Sequence, residues 1–456
     1  MVRPLRKEGF MSTKFQAFRA RFINSVSPKK DLMNLFMWLM GVSAAVYFVV
    51  TLIIGNGSSS SMFFLGGDDF FMDCFNQIRD SSQGKEVYSE RHVIYPPMAN
   101  LIFLILSRFT SDAYNDSIFG MRYSWKVYGS SLAFLMIVLA VCFIATFALV
   151  LKYTKRDSMN RKMVFAAMAT LSVPMLYMLE RGNMLIICVI ALLIYGFTYN
   201  SDSKVAREIG LLALAFSFSV KLYPVVFGWF LIADKRFKEA IRCAIYGVAM
   251  LILPSFFFGG PIFCVRSLYE NITGWSSGSG NGISQAMKSL NFSEGLQSVA
   301  NGLIYLWVFI CAACFVISPF IRPDKPWKTW AVGLITILCV PSLTGIYGWV
   351  FVLIPLMMLV NDEKPTGRNL TYLFMITVPF MFLPLNLIPV DVWLGKLLPM
   401  LTIPSFSLAK VWNYVVTAVV AIFMVVDTFV DLGSFLSRRK KTKQSALSEA
   451  QESPEA

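Results

Sequence analysis

Apolar runs separated by short polar loops dominate the chain. They fall near 33–54, 96–109, 127–151, 163–179, 184–199, 209–220, 222–233, 243–258, 301–320, 329–343, 347–360, 370–388 and 411–432. About 20 consecutive apolar residues are enough to carry a helix across a bilayer. The pattern therefore predicts an all-α polytopic membrane protein. The runs at 209–220, 222–233 and 329–343 are short. Short spans suit helix ends that line a water-filled cavity, because broken backbone at membrane depth needs polar company. No tandem repeat and no soluble domain is visible.

The basic residues lie in the loops and set the orientation. Arg3, Arg6, Lys7, Lys14, Arg19, Arg21, Lys29 and Lys30 precede the first run, and Arg438-Arg439-Lys440-Lys441 follow the last. Both termini read as cytoplasmic, so the number of spans should be even. Residues 1–30 are too basic and polar for a cleaved signal peptide. The basic loops at 152–162, 234–242 and 322–325 should also lie inside. They would not if 96–109 crossed the bilayer, and its fourteen residues are few for a span. Residues 96–109 are therefore expected as a short juxtamembrane helix after the first outer loop, leaving about twelve transmembrane helices. With that topology 29 of the 41 Lys and Arg fall inside, and the outer 12 are matched by 12 Asp and Glu. The expected division is a basic cytoplasmic segment at 1–32, one transmembrane domain at 33–432 and a polar cytoplasmic tail at 433–456. The outer loops lie near 55–126 and 259–300.

Composition removes several function classes. Of 456 residues, 56% are hydrophobic and 15% charged, against about 25% charged in a soluble protein. A cytosolic enzyme, a secreted disulfide scaffold and a disordered chain are excluded. The net charge of +14 is explained by the inner loops, so no nucleic-acid partner is expected. A single His argues against a His-based zinc site and a Ser-His-Asp triad. Of eight cysteines, six sit in or beside apolar runs and read as inert thiols. Cys74 and Cys264 both fall outside, which leaves a bridge between them open.

Five polar motifs share the outer face. The first loop carries Gly66-Gly67-Asp68-Asp69-Phe70-Phe71-Met72-Asp73, then Glu90-Arg91-His92 and Tyr95-Pro96-Pro97. Adjacent carboxylates at a membrane surface can supply a general base. The aromatics beside them would bury in the interface and hold the acids at one depth. Tyr95-Pro96-Pro97 fits a helix start. The second motif is Glu180-Arg181-Gly182-Asn183 and the third is Lys221-Leu-Tyr223-Pro224, each between apolar runs. Charges there default to function or to pairing, and Lys221 as a point charge suits a phosphate. Asn281-Gly-Ile-Ser284-Gln285 and Pro341-Ser342…Tyr347 complete the set. The plainer readings are a solvated acidic loop, a Glu180–Arg181 pair, a snorkelling lysine and an interfacial His92.

In this order the motifs resemble the GT-C superfamily of membrane glycosyltransferases, most closely glycosyltransferase family 87, over roughly residues 35–360. The resemblance rests on Asp-Asp in the first outer loop, Tyr-Pro-Pro opening a short helix, Arg-Gly-Asn, and Lys-Leu-Tyr-Pro before a basic loop. It implies a polyprenyl-phosphate-dependent hexosyltransferase, with mannose as the sugar, working at the outer face by a metal-independent, cofactor-free, inverting displacement. It implies Asp69 or Asp68 as the catalytic base, with Asp69 preferred. Lys221, Arg181, Arg91 and His92 would hold the donor phosphate. Asn183, Tyr223, Tyr95, Glu180, Asn281, Ser284, Gln285 and Tyr347 would bind substrate. The sequence departs from the family pattern in its fourth and fifth motifs, where no second His occurs. The expected partners are a polyprenyl-phosphate-linked sugar, a glycolipid or polysaccharide acceptor of the cell envelope, and the bilayer. The compact loops point to a bacterial inner (plasma) membrane. A transporter or flippase of a lipid-linked sugar is the alternative. It would spread charge along mid-span positions in an inverted repeat, whereas here the charge gathers at one face. A polymerase or ligase of O-antigen type would carry its long outer loops late in the chain.

Overall fold

The structure, a computed structural model, describes residues 31–54, 71–110, 129–155, 157–278, 293–340, 346–385 and 408–452. Every regular element among them is helical. Helix α1 (Leu32–Ile54) leads to two short helices, α2 (Met72–Ser82) and α3 (Pro97–Ser107), with the single turn Glu86–Ser89 between them. Next come α4 (Gly129–Tyr153), α5 (Met159–Thr170), α6 (Val173–Glu180), α7 (Leu185–Thr198) and α8 (Lys204–Val220). A 3-10 segment, Tyr223–Gly228, runs into α9 (Trp229–Ala233), followed by α10 (Phe237–Ser255) and α11 (Pro261–Gly278). The last elements are α12 (Glu294–Ile321), α13 (Pro326–Cys339), the 3-10 turns Ile346–Val352 leading into α14 (Leu353–Asp362), α15 (Gly367–Thr377) and α16 (Leu408–Glu452).

Local chemistry sets the starts of these helices. Hydroxyls of Ser158, Ser203, Ser293 and Thr366 accept the backbone N–H three residues on and so cap α5, α8, α12 and α15. Pro97, Pro174 and Pro326 lie in the first turns of α3, α6 and α13, where a missing N–H costs nothing. The same chemistry breaks one expected span. Residues 163–179 read as continuous, but the chain bends by 54° between α5 and α6, just before Pro174.

Among the described residues, five helices are long and apolar enough to cross a membrane, or six if the bent pair α5–α6 counts as one span. Twelve were expected from the apolar runs. The difference lies in runs that fold as short or composite helices, such as the 14-residue α7 and α13 and the 10-residue α14 behind its 3-10 turns. In the long helices the most apolar window is only 17–44% buried. Phe48, Ile53, Ile144, Leu253 and Phe309 all point outward. An outward apolar face of this extent requires an apolar solvent, which makes the chain an integral membrane protein. The expected short helix is present as α3 over Pro97–Ser107. At the far terminus α16 runs unbroken through the basic cluster at 438–441.

Tight aromatic packing fills the centre. Trp330 of α13 stacks on Phe227 at 4.3 Å and on Phe230 at 5.2 Å, with Tyr195 alongside at 6.0 Å. The Tyr195 hydroxyl donates to the Phe227 carbonyl (3.0 Å), which ties α7 to the 3-10 segment.

Polar side chains gather at the two ends of the bundle. One end holds the starts of α1, α5, α13 and α15 and the ends of α4, α12 and α14. There Arg161 donates to Asp31 (2.7 and 2.9 Å) and Asn34 (2.9 Å) and pairs with Asp157. Asn361, at the end of α14, donates to the Tyr153 carbonyl at the end of α4 (2.9 Å). A second cluster there clamps α16. Arg322 and Lys328 both reach Asp427 and Asp431 at 2.9–3.1 Å. Arg368 and the Tyr372 hydroxyl also bond Asp427. The side chains of Arg322, Lys328 and Asp427 are 2–5% exposed. Removing one partner of a buried ion cluster strands the others, at about 3–5 kcal/mol. Asp427→Ala is therefore expected to lower the thermal unfolding midpoint in detergent sharply. An unchanged midpoint would show that the cluster does not hold α16.

Candidate active site

At the opposite end, α2 is attached by its backbone to the turn after α6. The Phe71 N–H donates to the Glu180 carbonyl (2.8 Å), and the Asp73 N–H to the Arg181 carbonyl (3.0 Å). This contact needs Gly182. Its φ is +64°, and a Cβ there would come within 3.0 Å of the Cys74 Cβ and 3.2 Å of the Phe71 Cα. Phe71 is itself left-handed (φ 62°), which is uncommon for a bulky residue. The clasp sets Asp73 against the Arg-Gly-Asn motif. Arg181 Nε and Nη2 both donate to Asp73 Oδ1 (3.1 and 2.5 Å), and Asn183 Nδ2 donates to Asp73 Oδ2 (2.7 Å). Asn183 Oδ1 in turn accepts the Leu185 N–H (3.0 Å), so the amide caps the turn and orients the acid together. Cys74, buried beneath, has its thiol pushed up to about 12 by burial and then by Asp73.

Lys221 follows the last turn of α8 and is extended (φ −141°, ψ 128°). Pro224 cannot continue the α8 ladder, and the chain tightens into the 3-10 segment instead. The Lys221 ammonium lies 3.7 Å from the centre of the Tyr95 ring. Tyr347, Cys188 and Asp73 are within electrostatic range of it. Burial draws its pKa below the usual lysine value, while those three groups act in the opposite direction. Tyr347 stacks on Tyr177 at 6.0 Å, and Tyr223 meets Phe351 edge-on at 5.7 Å. The result is a cluster that holds a fixed carboxylate, a guanidinium, an ammonium, an amide and several phenols.

Arg181, Asn183, Lys221, Tyr95, Tyr223 and Tyr347 thus come together from four separate stretches of the chain. Glu180 is buried at the rim and supplies its carbonyl to the clasp. Arg91 and His92 belong to a different group. Arg91 lies 3.9 Å from Asp80, which also pairs with Arg79 at 2.6 Å. Burial raises the Asp80 pKa, against the lowering effect of Arg79 and Arg91. His92 Nδ1 is 3.3 Å from Asn271 Oδ1, and the Asn271 amide donates to the Tyr88 and Val93 carbonyls (3.0 and 3.1 Å). Asp68, Asp69, Asn281, Ser284 and Gln285 lie outside the described residues. The residue that the sequence did not single out is Asp73. It was visible only as the last acid of the Asp-Asp-Phe-Phe-Met-Asp run, and its role depends on the clasp. The eight cysteines are all free; Cys74 and Cys264 are buried in separate packing clusters.

The sequence profile of glycosyltransferase family 87 matches residues 93–342, more than half of the chain, and spans Tyr95, Arg181, Asn183 and Lys221. The chain belongs to glycosyltransferase family 87. No curated protein and no solved structure matches it significantly. This family 87 protein is accordingly a membrane glycosyltransferase, with a sugar donor and an acceptor as its substrates.

Gly182→Ala tests the clasp. The left-handed backbone alone costs an L-residue about 1–2 kcal/mol, before any clash with Phe71 and Cys74. The variant is expected to unfold at lower temperature and to lose glycosyl transfer together. Wild-type values of both would show that α2 does not need this turn.

Proposed function

We propose that the protein moves a hexose, mannose by family resemblance, from a polyprenyl-phosphate donor to an acceptor hydroxyl at the outer face of a bacterial inner membrane. The chain would follow the twelve-span path drawn from its basic loops, with both termini inside. That path requires the shorter apolar elements Tyr223–Ala233 and Tyr347–Asp362 to cross as well. The single observation that carries the reading is the convergence of Lys221, Arg181, Asn183 and Asp73 among tyrosines in a family 87 chain. A lone ammonium and an acid-anchored guanidinium suit a phosphate, and the tyrosines and the amide suit a sugar ring.

The step is one displacement at the anomeric carbon. The acceptor oxygen forms a bond to C1 and gives its proton to Asp69 or Asp68. The bond from C1 to the phosphate oxygen breaks, and its electron pair leaves on the polyprenyl phosphate with inversion at C1. Lys221 and Arg181 meet the charge that grows on that phosphate. Asp73 is fully engaged by Arg181 and Asn183. We therefore assign it to holding Arg181, and leave the base role with the preceding acids. Asn183 and Tyr223 orient donor groups.

Turnover of a polyprenyl-phosphate sugar by the purified protein tests the reading. Replacing the base is expected to cost about 10²–10⁴ in rate, and Lys221→Met about 10²–10³. Free polyprenyl phosphate should appear only when acceptor is present; a flippase would release none. Full activity of the doubly substituted Asp68→Ala, Asp69→Ala protein would remove both acids from the mechanism.

A further inference from the structure

Tyr95 stands between the Lys221 side of the site and the Asn183–Asp73 side. Its ring face lies 3.7 Å from the Lys221 ammonium. Its hydroxyl lies on the side of Asn183, whose amide donates to Asp73 Oδ2 at 2.7 Å. Among the described residues no carboxylate is within ion-pair distance of Lys221. The electron-rich ring is therefore a close counterpart for its positive charge. The ring is itself fixed. The Tyr95 carbonyl accepts from the Tyr88 hydroxyl (2.8 Å) and the Asn100 amide (3.3 Å). Its ring meets Phe103 edge-on at 6.2 Å. Pro96 and Pro97, which follow, stiffen the backbone.

We propose that Tyr95 is the positioning residue for Lys221: its ring, fixed through its backbone carbonyl and against Phe103, holds the ammonium in place beside Arg181 and Asp73. An ammonium carries three N–H donors. One side rests on the ring and the others stay open to a phosphate. The ring also offsets part of the loss of water around a desolvated cation and so favours the charged form of Lys221. Tyr347, Cys188 and Asp73 also face Lys221 and favour its charged form, and Asp73 is shared with Arg181; none of them makes an ion pair with the ammonium. This role rests on the phosphate-binding reading of Lys221 given above.

The test uses full-length protein in nanodiscs with farnesyl phosphate as the probe, and two substitutions. Tyr95→Leu removes ring and hydroxyl; Tyr95→Phe keeps the ring. Tyr95→Leu is expected to weaken farnesyl phosphate binding about 5- to 30-fold, equivalent to about 1–2 kcal/mol at 1.36 kcal/mol per tenfold. Binding needs protonated Lys221, and removing the ring depresses its pKa further. The alkaline fall in affinity should therefore move to lower pH in Tyr95→Leu. In Tyr95→Phe it should stay near wild type, with affinity within about 3-fold. A residue that merely supports the fold would not move that limb. Equal losses in the two variants, or an unshifted limb in Tyr95→Leu, would overturn the proposal. The ring contact has a separate readout. After reductive ¹³C-methylation, the Lys221 signal, assigned by its absence in Lys221→Arg, should show an upfield ring shift that Tyr95→Leu abolishes. Failure of wild type to bind farnesyl phosphate while that shift is present would sink the phosphate reading and leave the contact standing. Absence of the shift in wild type would sink the contact itself.

Discussion

Two backbone hydrogen bonds at the start of α2 set the geometry of the site. A carboxylate, a guanidinium and an amide must share a few ångströms in a place poor in water, where misplacement leaves charges unpaired and costly. Side-chain contacts alone would leave long residues such as Arg181 free to choose among rotamers. Here the Glu180 and Arg181 carbonyls hold the N–H groups of Phe71 and Asp73, and Gly182 supplies the turn that lets the two segments touch. Asp73 is then delivered to Arg181 and Asn183 by the path of the chain. The site is organised before any substrate arrives, which is the condition for charges to act on a transition state rather than to reorganise around it.

The two ends of the bundle use charge differently. At the α16 end, Arg322, Lys328 and Arg368 answer Asp427 and Asp431 with nearly full mutual satisfaction. Such a cluster has little left to offer a ligand, and it fixes one arrangement of helices. At the α2 end, Lys221 leans on a ring, and the phenols of Tyr223 and Tyr347 stand nearby. A cation balanced by an aromatic quadrupole keeps its charge available to an incoming anion. That difference, rather than the presence of charge as such, sets the α2 end apart in a membrane protein with only 15% charged residues.

Much of this was legible in the sequence. The apolar runs announce an all-helical membrane chain, and Tyr95-Pro96-Pro97 marks the start of α3. Arg181, Asn183, Lys221 and Tyr223 stand out because polar residues flanked by apolar runs carry a cost that something must offset. Three features were not legible. The bend between α5 and α6 depends on Pro174 and Ser172 interrupting a run that hydropathy averages over. The part of Asp73 depends on a long-range backbone contact that no local pattern announces. Arg91 and His92 share a loop with Tyr95, yet the turn Glu86–Ser89 carries them toward Asp80 and Asn271 instead.

The most direct test of the central claim is an experimental structure of the protein in a lipid nanodisc with a polyprenyl phosphate bound. The account predicts phosphate oxygens within ion-pair distance of the Lys221 ammonium and on the Arg181 side of the site, with Asp73 still engaged by Arg181 and Asn183. Density for the phosphate at the other end of the bundle, or beside Arg91 and His92 with Lys221 left on Tyr95 alone, would contradict it.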